Sequence, residues 1–587
     1  MSYLFDIKLS GGVAEWKDHV RSLGDVNPGR GVDIEGITVL ADFRPYAGCE
    51  AGVELERWAR SVRSGALYEP NGEYALVAVF VEDRKVVLSR DWSGAGGLFY
   101  SIEKGRLIVG TSVYEVLTAR EQRRFSALSC AEYLAFEYVS EPNTLFEDIF
   151  VVPRGKTVTV EAGGRVTVTG CNRLAPERVD VEEVYGGLRQ NIVDAHAKRV
   201  TNNNGIYLSG GIDSSVMAIT LKRDLGLQDL TAISFATANA EYDETGDARS
   251  VAAQLNIPFE RVEVDPNQAV DLHALLGKSN FPYPGLLYLQ ATAHRMEAIG
   301  LTGINIFAGQ DTRLHTPHYN SVDRMALHHL LNYPVLRKAV ALAGGSLKSL
   351  SGNGRNRRGM LRLEMMQDLS AYVAKHFFHY HKASPVSQST TGQQLIRALG
   401  EVIDNNVDFT EGSREVFNDI VQVAWDRQYT SDIAYMLGGT RSFGNLCSMP
   451  FYDRKLSNFS AGIPMPLALK TTSGRAGHGA AKKMVNKFVL REAYKGDLTS
   501  EMIFRDKAVC VTNHLYLNGC LKAYVSDYFE RPVFLQGEIG HRLGLKSLFD
   551  KGLQKNGLWQ VNEYEEVVET HNLLFLETLA RKYSVET

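Results

Sequence analysis

The segment that most constrains this chain is Ser209-Gly210-Gly211-Ile212-Asp213-Ser214-Ser215. It follows the short apolar run Gly205-Ile206-Tyr207-Leu208 and opens a helical stretch from about Asp213 to Asp224. A glycine-rich turn between a strand and a helix lets the backbone bend sharply and approach a ligand closely. The N–H groups freed at the helix start, with serine hydroxyls beside them, form an anion site. Asp213 places a carboxylate next to it, a donor suited to Mg²⁺. The loop lacks the Gly-Lys-Ser/Thr ending of a Walker loop, so a different phosphate chemistry is implied. Residues 231–235 read as the next strand and 248–255 as the next helix, and this alternation predicts a parallel sheet with helices on its faces.

The first 175 or so residues have another texture. Strands are predicted over 37–41, 73–81, 85–89, 107–110 and 156–160, separated by turn signals such as Pro70-Asn71-Gly72 and Pro153-Arg154-Gly155. In 74–80 both alternating faces are apolar, so that strand is expected to be covered on both sides. Pro176 marks a connector, after which Val181, Val184, Leu188, Ile192 and Ala195 recur at helical spacing. Residues 320–440 read as mainly helical, interrupted at Gly344-Gly345 and by the loop 351–359 with Arg355, Arg357 and Arg358, a solvated connection in preference to a binding patch.

Composition excludes several classes. The 64 Lys and Arg against 68 Asp and Glu leave −4, with no basic stripe for nucleic acid. No apolar run approaches the roughly 18 residues of a membrane span, and Met1-Ser2-Tyr3 opens no signal-peptide pattern. Cys49, Cys130, Cys171, Cys447, Cys510 and Cys520 are scattered, as in neither a zinc site nor a disulfide framework. A cytoplasmic location is expected.

The 209–215 loop resembles that of the PP-loop ATP pyrophosphatases. Further segments in matching order resemble the asparagine synthetase-like amide ligases: Arg90-Asp91-Trp92-Ser93-Gly94 with Leu98-Phe99-Tyr100, Thr144-Leu145-Phe146 with Pro153-Arg154-Gly155, and Met449-Pro450-Phe451-Tyr452-Asp453. Lys487-Phe488-Val489-Leu490-Arg491 and Arg505-Asp506-Lys507 complete the series. The resemblance implies an Ntn-like αββα sandwich over 1–175 and a PP-loop α/β synthetase domain with a helical elaboration over 176–587. It also implies ATP-dependent amide formation through an acyl-adenylate, with ATP and Mg²⁺ as cofactors. ATP would lie against Leu208, Ser209, Gly210, Gly211, Asp213, Ser214, Ser215, Phe235 and Gly309. Asp213 and Asp311 would hold the metal, and Lys507 with Asp311 would serve catalysis.

The chain departs from that pattern at its first residues, in its second loop, and before Met449, where Gly444-Asn445-Leu446-Cys447-Ser448 carries no acid. Ser2 follows Met1 and no cysteine precedes Cys49, so the first domain is expected to be a glutaminase fold without its thiol nucleophile; the stretch before Asn71-Gly72 is also short for a full glutamine pocket. After 304–307 the sequence reads Ala308-Gly309-Gln310-Asp311, and glutamine cannot act as a general base. Amine deprotonation would fall to His315, to a phosphate, or to nothing in the protein. His315, His318, His328 and His329 form no metal pattern, and 472–483 is either a lid over ATP or a solvated loop.

Losing an ammonia supply fits closure of a ring by an amine already on the substrate, because a tethered amine has a high effective molarity. The leading expectation is therefore macrolactam closure of a lasso-type precursor peptide between its N-terminal amine and an Asp or Glu side chain. A leader peptidase and a leader-binding protein would be partners. A small-molecule lactam or amide synthetase acting on a carboxylic acid, an ammonia-using asparagine synthetase, and a non-catalytic ATP-binding scaffold are the alternatives.

Overall fold

A computed structural model describes residues 4–16, 31–309 and 384–587, apart from 67, 171, 239–242, 409–412, 465–466, 468–469, 473–482, 486, 506–511 and 556–557. Ten strands build the N-terminal part: β1 (Leu4–Lys8), β2 (Gly31–Ile34), β3 (Ile37–Pro45), β4 (Gly72–Phe80), β5 (Lys85–Arg90), β6 (Phe99–Glu103), β7 (Arg106–Gly110), β8 (Phe150–Val151), β9 (Lys156–Glu161) and β10 (Val166–Gly170). They form two antiparallel sheets, ordered β1-β7-β6-β8 and β10-β9-β5-β4-β3-β2.

The period-2 pattern of β4 explains the layering. Ala75, Val77 and Val79, with Leu88 of β5, face Leu107 and Val109 of the other sheet, whereas Tyr74, Leu76, Ala78 and Phe80 face Leu55 and Trp58 of the helix Ala51–Ser64. On the far side of the smaller sheet, Phe99 and Ile108 pack against the helices Val113–Ala119 and Ala127–Phe136. The order helix, sheet, sheet, helices is the αββα sandwich expected. Gly72 begins β4 because a Cβ there would lie 2.4 Å from the Arg44 carbonyl oxygen.

The second sheet system is parallel: β11 (Asn204–Tyr207), β12 (Leu230–Thr237), β13 (Phe259–Val264), β14 (Asn305–Phe307) and β15 (Leu446–Ser448), ordered β13-β12-β11-β14-β15. The helix after β11, Ile212–Ile219, runs on into a π-helical turn, Thr220–Asp224. The helix expected from Val181 begins instead at Val184; Val181 stands outside it and is 54% exposed, while Val184, Leu188, Ile192 and Ala195 are buried as one face. Helices Thr390–Asn406 and Ser413–Ser442 fall within the stretch expected to be helical. The Gly344-Gly345 break and the 351–359 loop lie outside the described residues.

The two sheet systems share one core. Tyr114 stacks on Tyr583 at 4.9 Å, Phe125 meets Phe534 edge-on at 5.2 Å, and the Phe125 amide donates to the Glu586 carbonyl at 3.2 Å. The C-terminal helix Tyr564–Tyr583 is buried continuously from Val567 to Ala580. Among the described residues no helix is long and apolar enough to cross a membrane.

Two histidines are buried in this framework. His571 bonds the Val567 carbonyl through Nδ1 at 2.9 Å, and His196 bonds Ile192 at 2.7 Å while stacking on Phe307. Neither Nε2 has a partner among the described residues. Burial pushes the His196 imidazole down to about 3 and that of His571 down to about 4. The unfolded chain therefore binds more protons than the folded one below the ordinary histidine value of about 6.5. Stability is complete above that value and is lost on acidification at roughly 1.4 kcal/mol per pH unit per histidine. Urea midpoints measured from pH 7.5 to 4.5 should fall steeply, and His571→Phe should flatten the fall; identical slopes would show that His571 is not held neutral.

Candidate functional site

The sheet's strand order reverses at β11. The chain runs from β11 outward to β12 and β13, then returns on the opposite side of β11 with β14 and β15. Loops leaving neighbouring strands at such a reversal diverge, and the crevice between them at the carboxyl ends of the strands is where α/β sheets take ligands. Here Leu208, Ser209, Gly210 and Gly211 leave β11, and Ala308 and Gly309 leave β14.

The β11 loop is a tight cradle, Gly210 buried and Ser209 and Gly211 half-buried. Gly210 has φ +71°, and a Cβ on it would lie 2.8 Å from both the Ala248 amide nitrogen and the Arg505 guanidinium. Ser214 Oγ accepts from the Ser209 amide at 3.2 Å and donates to the Gly211 carbonyl at 3.2 Å; Ser209 Oγ accepts from the Gly211 amide at 3.3 Å. The hydroxyls thus hold the loop in shape. No side chain caps the helix Ile212–Ile219, and Ser215 Oγ is buried with no partner among the described residues.

Cations arrive from far along the chain. Lys487 Nζ lies 2.6 Å from Asp213 Oδ1, its side chain only 5% exposed. Lys487 has φ +52°, a left-handed conformation that costs a non-glycine residue about 1 kcal/mol or more and clusters at functional sites. Arg505 donates to the Gly210 carbonyl and pairs with Asp247 at 2.5 Å. Arg491 donates to the carbonyls of Ile503 and Arg505. That tether brings the Lys-x-x-Leu-Arg segment and the strip around Arg505 to one loop, while Leu490 anchors the helix Phe488–Ala493 in the core.

The expected site residues distribute as follows. Ser209, Gly210, Gly211, Asp213, Ser214 and Ser215 lie together. Gly309 stands across the crevice at φ +100°, facing the Met449 methyl group. Leu208 is buried and its amide donates to the Ile233 carbonyl at 2.8 Å, while Phe235 is 36% exposed in an aromatic group with Tyr207 and Tyr288. Gln310, Asp311, Lys507 and His315, His318, His328 and His329 lie outside the described residues. Of the 472–483 segment, residues 473–482 lie outside them too, but its ends, Thr472 and Lys483, are register partners in an antiparallel pair.

The arrangement suits a polyphosphate, with backbone amides, hydroxyls and two cations around one concavity. Among the described residues no three His, Cys, Asp or Glu side chains gather as a metal site. Mg²⁺, however, commonly takes one or two carboxylates plus substrate phosphates, and Asp213 fits as such a ligand. Sequence reasoning noted Lys487 and Arg505 only as motif residues. No local signal was available: Lys487 stands outside the helix Phe488–Ala493 in a left-handed conformation, and its contact with Asp213 and that of Arg505 with Gly210 span 274 and 295 positions.

Comparison with known proteins matches residues 187–278 to the asparagine synthase family model and residues 55–169 to that of the glutamine amidotransferase domain. Asparagine synthetase [glutamine-hydrolyzing] 1 of Bacillus subtilis (strain 168) is 22% identical over 202 residues, 34% of this chain and 32% of that protein. Amidase chyE of Penicillium rubens is 22% identical over 482 residues, 73% of this chain and 68% of that protein. The chain thus matches about a third of the length of the first relative and about two thirds of the second. Among solved structures, an NH3-dependent NAD synthetase from Campylobacter jejuni aligns with a TM-score of 0.18 and 16% identity, covering 42% of this chain and 96% of that one.

The cradle makes a direct prediction. Pyrophosphate should raise the melting temperature of the native chain. Gly210→Ala, which places a Cβ against Ala248 and Arg505 at a positive φ, should abolish that rise; an undiminished shift would move the anion site elsewhere.

Proposed function

We propose that this chain, an asparagine synthase-family protein with an amidotransferase-like N-terminal domain, forms an amide by activating a carboxylate with ATP. The observation that carries the reading is the cradle at 209–215 closed by Lys487 and Arg505 at the strand-order reversal. A substrate carboxylate oxygen attacks the α-phosphorus of ATP, the α–β bridging bond breaks, and pyrophosphate leaves. An amine nitrogen then attacks the acyl carbon, loses a proton, and expels AMP.

In that sequence the amides at the start of the helix Ile212–Ile219 and the Ser215 hydroxyl hold the departing phosphates, the Ser209 and Ser214 hydroxyls keep the loop in shape, and Lys487 and Arg505 neutralise the developing charge. Mg²⁺, held by Asp213 and, as the resemblance implies, Asp311, would supply charge stabilisation on the phosphates. Lys507 is proposed, as its motif position implies, to hold the phosphate and later the tetrahedral intermediate. Phe235, at the edge of the crevice with Tyr207 and Tyr288, is proposed as a surface for the base.

For the nitrogen source, the proposal is an amine already on the acid, closing a ring, with a peptide macrolactam as the product. Support comes from the N-terminal part. Asn71, in the turn that the resemblance places near a glutamine pocket, donates its backbone amide to Glu54 Oε2 at 2.7 Å, and its side chain also points to Glu54. Both groups are occupied by the protein itself. The second reading, a small-molecule amide synthetase, draws on the match to Amidase chyE, which covers 73% of this chain.

Mass-spectrometric analysis of nucleotides tests the reaction. With ATP, Mg²⁺ and a panel of peptides and amino acids, the productive substrate should yield AMP and pyrophosphate, independent of glutamine. Asp213→Ala and Lys507→Ala should each lower turnover by at least about 10²-fold, the scale for losing one charge-stabilising group. ADP and phosphate as products would overturn the mechanism, and glutamine-dependent turnover would overturn the nitrogen source.

A further inference from the structure

Arg199 sits at the seam between the two sheet systems, away from the cradle. Its side chain is 1% exposed and lies between two carboxylates, one from each side: Nε donates to Glu73 of β4 at 3.2 Å and Nη1 to Asp453 at 3.2 Å. Nη2 donates to the Tyr46 hydroxyl at 2.7 Å, and the guanidinium lies 4.7 Å from the Tyr46 ring centroid. Nη1 also reaches the Ala195 carbonyl at 2.8 Å. Other cations share these carboxylates, and Arg441 also pairs with Asp42 at 3.3 Å. Arg44 and Arg441 lie 3.7 and 3.9 Å from Glu73, and Lys198 pairs with Asp453.

The backbone of Arg199 extends the connection. Its carbonyl accepts from Arg44 at 3.1 Å and from Asn305 Nδ2 at 2.9 Å, and Asn305 begins β14, the strand that leads into Gly309. Asp453 caps the helix Arg454–Gly462 by accepting from the Lys455 and Leu456 amides. The turn before it, Pro450–Tyr452, brings Met449 and Tyr452 against Gly309. From Arg199, therefore, one path runs through Asn305 and another through Asp453, and both end at the same wall of the crevice.

We infer that Arg199 is a positioning residue: bridging Glu73 and Asp453, it holds the 449–453 turn and the end of β14 in register, so that the N-terminal sheet is a structural part of the nucleotide crevice. The inference rests on the amide-ligase reading for the ligand, not for the mechanical link. A charge buried merely to satisfy its neighbours would behave differently, because removing one member of a buried ionic set lowers global stability without loosening these two segments in particular.

Hydrogen exchange and ATP titration of three full-length variants, Glu73→Gln, Arg199→Met and the triple Glu73→Gln/Arg199→Met/Asp453→Asn, separate the two. Expected is at least tenfold faster exchange over 304–309 and 446–453 in Arg199→Met, with 259–264 unchanged, and at least a fivefold loss of ATP affinity. The triple variant, which also takes the carboxylates from Arg44, Arg441 and Lys198, should melt below Arg199→Met and bind ATP no more tightly. Glu73→Gln, the milder change, should show the same local pattern should Arg199→Met fail to fold. Recovery of both stability and affinity in the triple variant would overturn the inference, as would unchanged exchange at those two segments. A native chain that binds no ATP would overturn the amide-ligase reading, while the exchange comparison would still decide the role of Arg199.

Discussion

The pairing of β11 with two parallel neighbours, β12 on one side and β14 on the other, is the constraint from which the candidate site follows. Each interior strand of such a sheet is satisfied laterally by backbone hydrogen bonds, so the connecting loops are free to diverge only beyond its ends. Where the winding direction reverses they leave a gap. Asn305 secures that geometry from inside the sheet: its side chain donates to the Arg199 carbonyl and to Asn204 of β11, and accepts from Ser448 of β15. A fully buried amide with its partners met across three strands resists register shift, because any slip would leave polar groups unpaired in a low-dielectric core.

The N-terminal sandwich is not a detachable layer on this framework. Its helices at 113–119 and 127–136 contribute to the same apolar core as the C-terminal helix Tyr564–Tyr583. That helix is buried on nearly all sides and carries polar residues which find partners inside. Glu577, for example, accepts from the Val533 and Leu535 amides at 2.8 and 3.0 Å. Separating the two parts would expose this core and strand such groups, which ties the fate of the crevice to a domain whose described residues contribute no group to the cradle.

Local features of the sequence were legible to the degree that their causes were local. The run 74–80 reads as a doubly covered strand because both of its alternating faces are apolar, and the two faces indeed enter separate cores. The glycine-rich turn reads as a cradle because its φ requirement and its serines lie within seven residues. Val181 misled because it continues a helical period past the point where the chain leaves the core; periodicity carries no information about where packing ends. Asp453 was legible as part of a motif, but its partner Arg199 lies in a different segment, and no spacing rule links the two.

By itself, then, the sequence determined the strand–turn–helix of the cradle, the change from antiparallel to parallel texture, and the chemistry of an anion site beside a carboxylate. These follow from side-chain periodicity and backbone sterics acting over a few residues. Only the tertiary structure decided that Lys487 would meet Asp213, that Arg505 would close on Gly210, and that Glu73 and Asp453 would share Arg199. Those contacts join residues hundreds of positions apart. They are set by how apolar surfaces close into one core, which brings the charged groups at its margins together and leaves each to be satisfied by whichever partner packing places within reach.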